Sequence, residues 1–173
     1  SMTRGPDGNF YVIEADIGIM RFNGTTGASM GVVVPLGRGG LANPRRAIFG
    51  PDGRLYISTG ANNSVLRYDG STGVFIDAFV AVGAGGLSEA VGLAFGPDGN
   101  LYVSSRSSHQ VLRYSGSTGA FMNVFVSRTD LRYPTDLAFT AGSSTDATWF
   151  DDAAPAGAAI AAAGWSWVAS PAA

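Results

Sequence analysis

Gly50-Pro51-Asp52-Gly53 opens the line GPDGRLYISTGANNSVLRYDGSTGVFIDAFV (residues 50–80), and nearly the same line returns at residues 96–126 as GPDGNLYVSSRSSHQVLRYSGSTGAFMNVFV. An earlier copy starts at Gly5. Self-similarity with a period of about 45 residues means one supersecondary unit reused, so the rest of the chain reads as copies of it or departures from it. The GPDG is a turn with a mechanism. Proline presets φ, aspartate bonds its own backbone, and the closing glycine accepts a positive φ.

After each turn comes a β-branched and aromatic run: Phe10 to Ile13, Leu55 to Ser58, Leu101 to Ser104. A third strand follows at Gly18 to Phe22, Val65 to Tyr68 and Val111 to Tyr114, and a fourth at Ser29 to Val34, Val74 to Val80 and Ala120 to Val126. The next unit opens on Pro44 to Phe49, Ala90 to Phe95 and Pro134 to Phe139. Helical periodicity is absent, and four short antiparallel strands per period predict an all-β chain of β-propeller blades. Near-identical units at constant spacing favour this over a sandwich of hairpins.

The blades occupy residues 1–139, with repeats starting at 5, 50 and 96 and a last inner strand at 134–139. The first copy has only Ser1 to Arg4 ahead of its turn, so its inner strand is expected to be missing, while Pro134 to Phe139 is one inner strand in surplus. Together these make three blades, too few for a closed ring. The simplest closure is a homodimer in which each chain's last strand completes the other's first blade, giving six blades. Residues 140–173 leave the repeat for an Ala- and Gly-rich tail carrying Trp149, Trp165 and Trp167. WFDDAAPAGA followed by GWSWV is similar to the opening of β-sandwich modules of bacterial extracellular proteins, which implies a truncated module of that kind.

Composition narrows the function classes. Eleven arginines, no lysine and a net charge of -2 exclude a lysine Schiff base and give no overall basic field for nucleic acid. RNA binding through the local group Arg38, Arg45 and Arg46 is therefore disfavoured. Without cysteine there are no disulfides and no thiolate metal sites. No apolar run reaches the roughly 18 residues a membrane helix needs, so no membrane partner is expected. The lysine-free, Ala/Gly/Ser/Thr-rich surface reads as bacterial and extracytoplasmic. The first residues carry no export pattern, which is compatible with a leader already removed.

The pattern PxGxAFxxDGNLYVxxxxxHxVxRYxxxTGxF, built from Pro134 to Phe139, Asp98 to Val103 and Val111 to Tyr114, resembles NHL-type repeats and their virginiamycin-B-lyase-like and gluconolactonase-like six-bladed relatives. The resemblance covers residues 5–139. It implies fold more than activity, since propellers host enzymes and binding surfaces alike.

Repetition within the chain separates scaffold from site. Asp7, Asp52 and Asp98 recur in the turn, and Arg21, Arg67 and Arg113 recur in the third strand, so both sets are read as structural. The copies disagree three residues before the inner-strand phenylalanine (Arg46, Gly92, Asp136) and six before it (Asn43, Glu89, Tyr133). They disagree again after the second strand, with Glu14 and Asp16, then Asn62 and Asn63, then Arg106 and His109. In the resembling propellers these loops surround the channel mouth, so Glu14, Asp16, Arg46, Asn62, Asn63, Glu89, Arg106, His109, Tyr133 and Asp136 are the candidate ligand-binding residues.

No catalytic residue is assigned. His109, the single histidine, has Asn63 as its counterpart and is expected to be dispensable for stability. The metal-dependent lyases of this propeller group need several histidines, which this chain lacks. The expected function is a non-enzymatic scaffold presenting a protein- or glycan-binding surface. The alternative is a metal-assisted lactonase- or lyase-like enzyme, its cofactor Ca2+ or another divalent cation on the channel axis held by Glu14, Asp16 or Asn62.

Overall fold

The computed structural model describes residues 1–127 and 131–139 throughout, with the backbone of strands Ala147–Asp151, Ala159–Ala162 and Trp165–Val168. Three four-stranded antiparallel sheets follow one another in strict sequence order. The first holds β1 (Met2–Arg4), β2 (Phe10–Glu14), β3 (Gly18–Phe22) and β4 (Ser29–Pro35). The second holds β5 (Pro44–Phe49), β6 (Leu55–Thr59), β7 (Ser64–Tyr68) and β8 (Phe75–Val80). The third holds β9 (Ala90–Phe95), β10 (Leu101–Ser105), β11 (Gln110–Tyr114) and β12 (Phe121–Ser127). Each sheet is a blade, and β13 (Pro134–Phe139) lies beside β9 as the inner strand after it.

One expectation is corrected. The first copy does have an inner strand, because Met2–Arg4 pairs with β2 in the register Arg4↔Phe10 that Phe49↔Leu55 keeps in the second blade. The apolar pattern hides it, since main-chain pairing asks nothing of Thr3 and Arg4. Nor is β13 a strand without a neighbour: it pairs with β14 (Ala147–Asp151), Phe139 opposite Ala147, as an inner strand pairs with a second strand. Both edges that strand exchange would use are therefore occupied within one chain. The β-sandwich expectation falls on residues 140–173, whose side chains lie outside the described residues.

Alternation along the strands makes both faces of a blade apolar, and the core lies between blades. Tyr11, Ile19, Val33 and Val34 of the first blade meet Leu55, Ile57, Leu66 and Tyr68 of the second. Tyr56, Val65, Phe79 and Val80 meet Leu93, Leu101, Val103, Leu112 and Tyr114 in the same way. Full burial of one such side chain stabilises by roughly 1.5–3 kcal/mol.

The GPDG turn is part of this packing. Tyr11, Tyr56 and Tyr102 each donate a hydroxyl hydrogen bond of 3.0 Å to Asp7, Asp52 and Asp98, and each aspartate also accepts the amide two residues on. Burial raises the Asp98 pKa, but bonds from Asn100 and Tyr102 and the charge of Arg113 outweigh it and leave the carboxyl below its ordinary value. Burial, with Asp98 beside it, pushes the Tyr102 phenol up to about 12.

Two glycines of this corner are required for different reasons. Gly53 has φ +73° but open space around it, whereas a Cβ on Gly70 would run into the Gly53 carbonyl. Gly53→Val is expected to cost about 1 kcal/mol or more through backbone strain. Gly70→Ala is expected to cost about 2 kcal/mol, because a main-chain carbonyl cannot swing aside. Urea titration of both variants checks the order, and wild-type midpoints would remove the turn from the packing account.

Candidate functional site

The loops singled out by disagreement between copies share an unusual backbone. Asn43, Glu89 and Tyr133, and likewise Asn63 and His109, have φ between +48° and +57°, the left-handed region that non-glycine residues seldom occupy. Among the described residues no other non-glycine side chain does so. Such a conformation persists where surrounding contacts enforce it. Here Asn63 Oδ1 accepts the Glu89 amide at 2.6 Å, and His109 Nδ1 accepts the Tyr133 amide at 3.2 Å. Each side chain thereby ties its own blade to the entry loop of the next.

These loops and β5 bring five side chains into one connected row, with the Ser107 hydroxyl beside it. Glu89 accepts from Arg45 at 2.6 Å, from Arg106 at 3.1 Å and from the Ser107 hydroxyl at 3.0 Å. The Arg106 guanidinium lies over the Tyr133 ring, 5.1 Å from its centroid, and Tyr133 meets the His109 ring edge-on at 4.7 Å. Burial raises the Glu89 pKa, but the bonds from Arg106, Ser107 and Arg45 together hold the carboxyl below its ordinary value. It is a fixed anion at neutral pH.

Nearer the axis, Arg46 of β5 reaches past β9 to Asp136 of β13, with Nη1 2.9 Å from Oδ2. Gly92 between them makes this possible, since a Cβ there would stand 2.9 Å from the Asp136 Cα and from Ser104 Oγ. The ion pair spans three inner strands.

Of the residues singled out in the sequence, the structure brings together Glu89 with Arg106, Tyr133 and His109, and Arg46 with Asp136. Sequence reasoning missed Arg45. The signal was available, because Arg45 aligns with Val91 and Thr135 and the copies disagree there too. Asn62 donates to the Gly40 carbonyl at 2.7 Å, which is a loop-fixing role. Glu14 and Asp16 stand exposed on the first blade's turn, outside the row. Among the described residues no group of three or more His, Cys, Asp or Glu side chains converges. His109 uses its Nδ1 on a main-chain amide, as Asn63 uses its Oδ1, so the ring has a structural task the sequence did not reveal.

Solved structures with similar coordinates are propellers. Virginiamycin B lyase from Staphylococcus aureus matches with a TM-score of 0.63 at 21% identity, over 82% of this chain and 45% of the lyase. A luciferin-regenerating enzyme matches at 0.62 and 16%, over 84% of this chain and 50% of that one. The RRP9 WD40 repeats match at 0.61 and 15%, over 79% and 40%. No protein-family model matches the chain, and no curated protein matches it in sequence. At these identities the likeness is one of fold: the chain is a partial propeller, spanning half the length or less of these matches. They include enzymes and a WD40 repeat protein on the same scaffold.

Two outcomes follow from the row of contacts. A depressed carboxyl stabilises the fold above its unfolded pKa of about 4.3, and that contribution is lost as pH falls through the folded value. Glu89→Gln is therefore expected to lower the melting midpoint at pH 7, with the gap to wild type closing below about pH 4. A gap independent of pH would mean that packing, not charge, is what Glu89 supplies. His109→Ala is expected to cost about 1 kcal/mol by orphaning the Tyr133 amide, and His109→Asn to recover most of it. Equal midpoints for all three proteins would return His109 to a dispensable turn residue.

Proposed function

We propose that this chain is a non-enzymatic recognition scaffold whose ligand, a protein or a glycan, docks on the row Arg45–Glu89–Arg106–Tyr133–His109. The observation that carries this reading is that the row is pre-paired on loops held in a costly conformation. Such a surface loses little freedom when a partner arrives, which favours affinity. Arginine and tyrosine are the side chains that most often dominate binding energy, and Tyr133 is 44% exposed. Glu89 is committed to Arg45, Arg106 and Ser107, and His109 Nδ1 to the Tyr133 amide, so both side chains are fixed in place before a ligand arrives. Against an immobilised glycan panel and candidate proteins, Arg106→Ala with Tyr133→Ala is expected to weaken any ligand by tenfold or more. A ligand unaffected by that pair would contradict the assignment. The metal-assisted lactonase- or lyase-like alternative would be favoured instead by saturable Ca2+ binding abolished by Glu14→Gln with Asp16→Asn.

The assembly reading rests on the first blade's free face. Leu55, Ile57, Leu66 and Tyr68 are buried against the blade before them, whereas their counterparts Phe10, Val12, Met20 and Phe22 are only partly covered and Met2 is 61% exposed. Five apolar side chains in positions that are core elsewhere call for a blade-like cover. A second copy supplies one. Two arcs of this length together approximate one closed propeller of the matched size. In this form closure occurs by face-to-face docking, not by strand exchange. Light scattering after size exclusion is expected to give twice 17.7 kDa for the wild type and a lower mass for Val12→Asp with Met20→Asp. A monodisperse monomer of the wild type would refute the dimer.

A further inference from the structure

The outer rim between the first two blades carries a second feature, independent of the mouth. A cavity of about 310 Å³ opens there, and Arg21, Gly31, Val33, Arg38, Ser71 and Thr72 line it. Both guanidiniums are held by neutral main-chain carbonyls. Arg21 Nη1 donates to Ser71 O at 3.4 Å, and Arg38 Nη1 donates to Val33 O and Gly73 O at 3.3 Å each. Among the described residues neither forms an ion pair, although Arg21 interacts with the Asp7 charge and the Tyr11 hydroxyl. Asp69 stands behind Ser71 and Thr72, accepting from both hydroxyls, and does not line the cavity.

The next groove, between the second and third blades, is the control. Position by position, Arg67 stands for Arg21, Asp77 for Gly31 and Ala84 for Arg38. The equivalences are fixed by structure. Tyr68 donates to Arg38 O as Tyr114 donates to Ala84 O, and the Val33 and Phe79 carbonyls abut Gly73 and Gly119 alike. There Arg67 is neutralised by Asp77 through two hydrogen bonds. In the first groove the acid is a glycine and a second arginine is added. The lining therefore holds two guanidiniums and no carboxylate.

We infer that this cavity binds a phosphate or sulfate group carried on a body of about monosaccharide size. Guanidinium offers five N–H donors in a planar fork suited to tetrahedral oxyanions, and the carbonyl contacts named use one nitrogen of each arginine. The volume exceeds what a bare oxyanion fills. Met30 and Val32 complete the rim of the cavity, whose accessible lining is predominantly polar and suits a hydroxylated carrier.

Titration with inorganic phosphate, inorganic sulfate, glucose 6-phosphate and glucose 6-sulfate tests this, read by calorimetry and melting midpoint at constant ionic strength in chloride. Saturable binding is expected for the anions, tighter for the esters, and weakened tenfold or more by Arg38→Gln. Gly31→Asp restores the carboxylate of the neighbouring groove and is expected to abolish binding. Gly31→Asn carries the same backbone strain without the charge and is expected to bind within about twofold of wild type. Arg67→Gln should leave binding unchanged. The inference is overturned if no anion saturates, if Gly31→Asp and Gly31→Asn bind alike, or if Arg67→Gln is as damaging as Arg38→Gln.

Discussion

The contact on which the architecture depends is a tyrosine in the second strand of each blade. Its hydroxyl donates to the GPDG aspartate, and its ring meets the inner-strand phenylalanine of the next blade edge-on. The centroid distances are 4.8 Å for Tyr11–Phe49, 5.1 Å for Tyr56–Phe95 and 5.0 Å for Tyr102–Phe139. One side chain thus fixes a turn within its own blade and the angle to its neighbour. Edge-to-face aromatic pairs add roughly 0.5–1.5 kcal/mol beyond burial, but the larger consequence is geometric. Because turn and interface share a residue, the repeat cannot drift in one without failing in the other, which is why the GPDG lines are nearly identical.

The arginine of the third strand shows the opposite freedom. In the second and third blades it packs in the same place, with the guanidinium 6.0 Å from the Tyr56 ring centroid and 5.9 Å from that of Tyr102. Its partner differs in each blade: an ion pair with Asp77 for Arg67, an ion pair with Asp98 for Arg113, and for Arg21 the Ser71 carbonyl, with the Asp7 charge acting on it from further off. Packing fixes where the stem goes and leaves the charge at its tip for local use. Residues that recur can therefore still acquire separate roles, which qualifies the rule that recurrence means structure.

The fold was legible because turn chemistry and alternation are local. Pro44–Phe49, Ala90–Phe95 and Pro134–Phe139 have the bounds read from sequence, and the fourth strands shift by one residue at most at either end. Met2–Arg4 was not legible, since a strand can be imposed by the partner it pairs with and carry no pattern of its own. The site was half legible. Disagreement between copies marked Glu89, Arg106, Tyr133 and His109, but the partnership of Arg46 with Asp136 joins residues 90 positions apart and depends on Gly92 being small. Nor does any sequence rule state that His109 would spend its Nδ1 on an amide of the next loop.

The first blade departs from the repeat in one more informative place. Tyr68 and Tyr114 donate hydroxyl bonds of 2.8 Å to carbonyls in the loop that precedes their blades, Arg38 O and Ala84 O. A buried hydroxyl needs such a partner, and losing it costs on the order of 1–3 kcal/mol. The first blade has Phe22 at this position. Its free face therefore keeps the hydrophobic requirement of an interior interface and drops the hydrogen-bonding one. A cover that brings only apolar surface suffices there, whereas the interfaces inside the chain demand an entry loop with a carbonyl in register. Under the proposed docking of a second copy, no carbonyl has to arrive in register at this face, because Phe22 has no hydroxyl to satisfy.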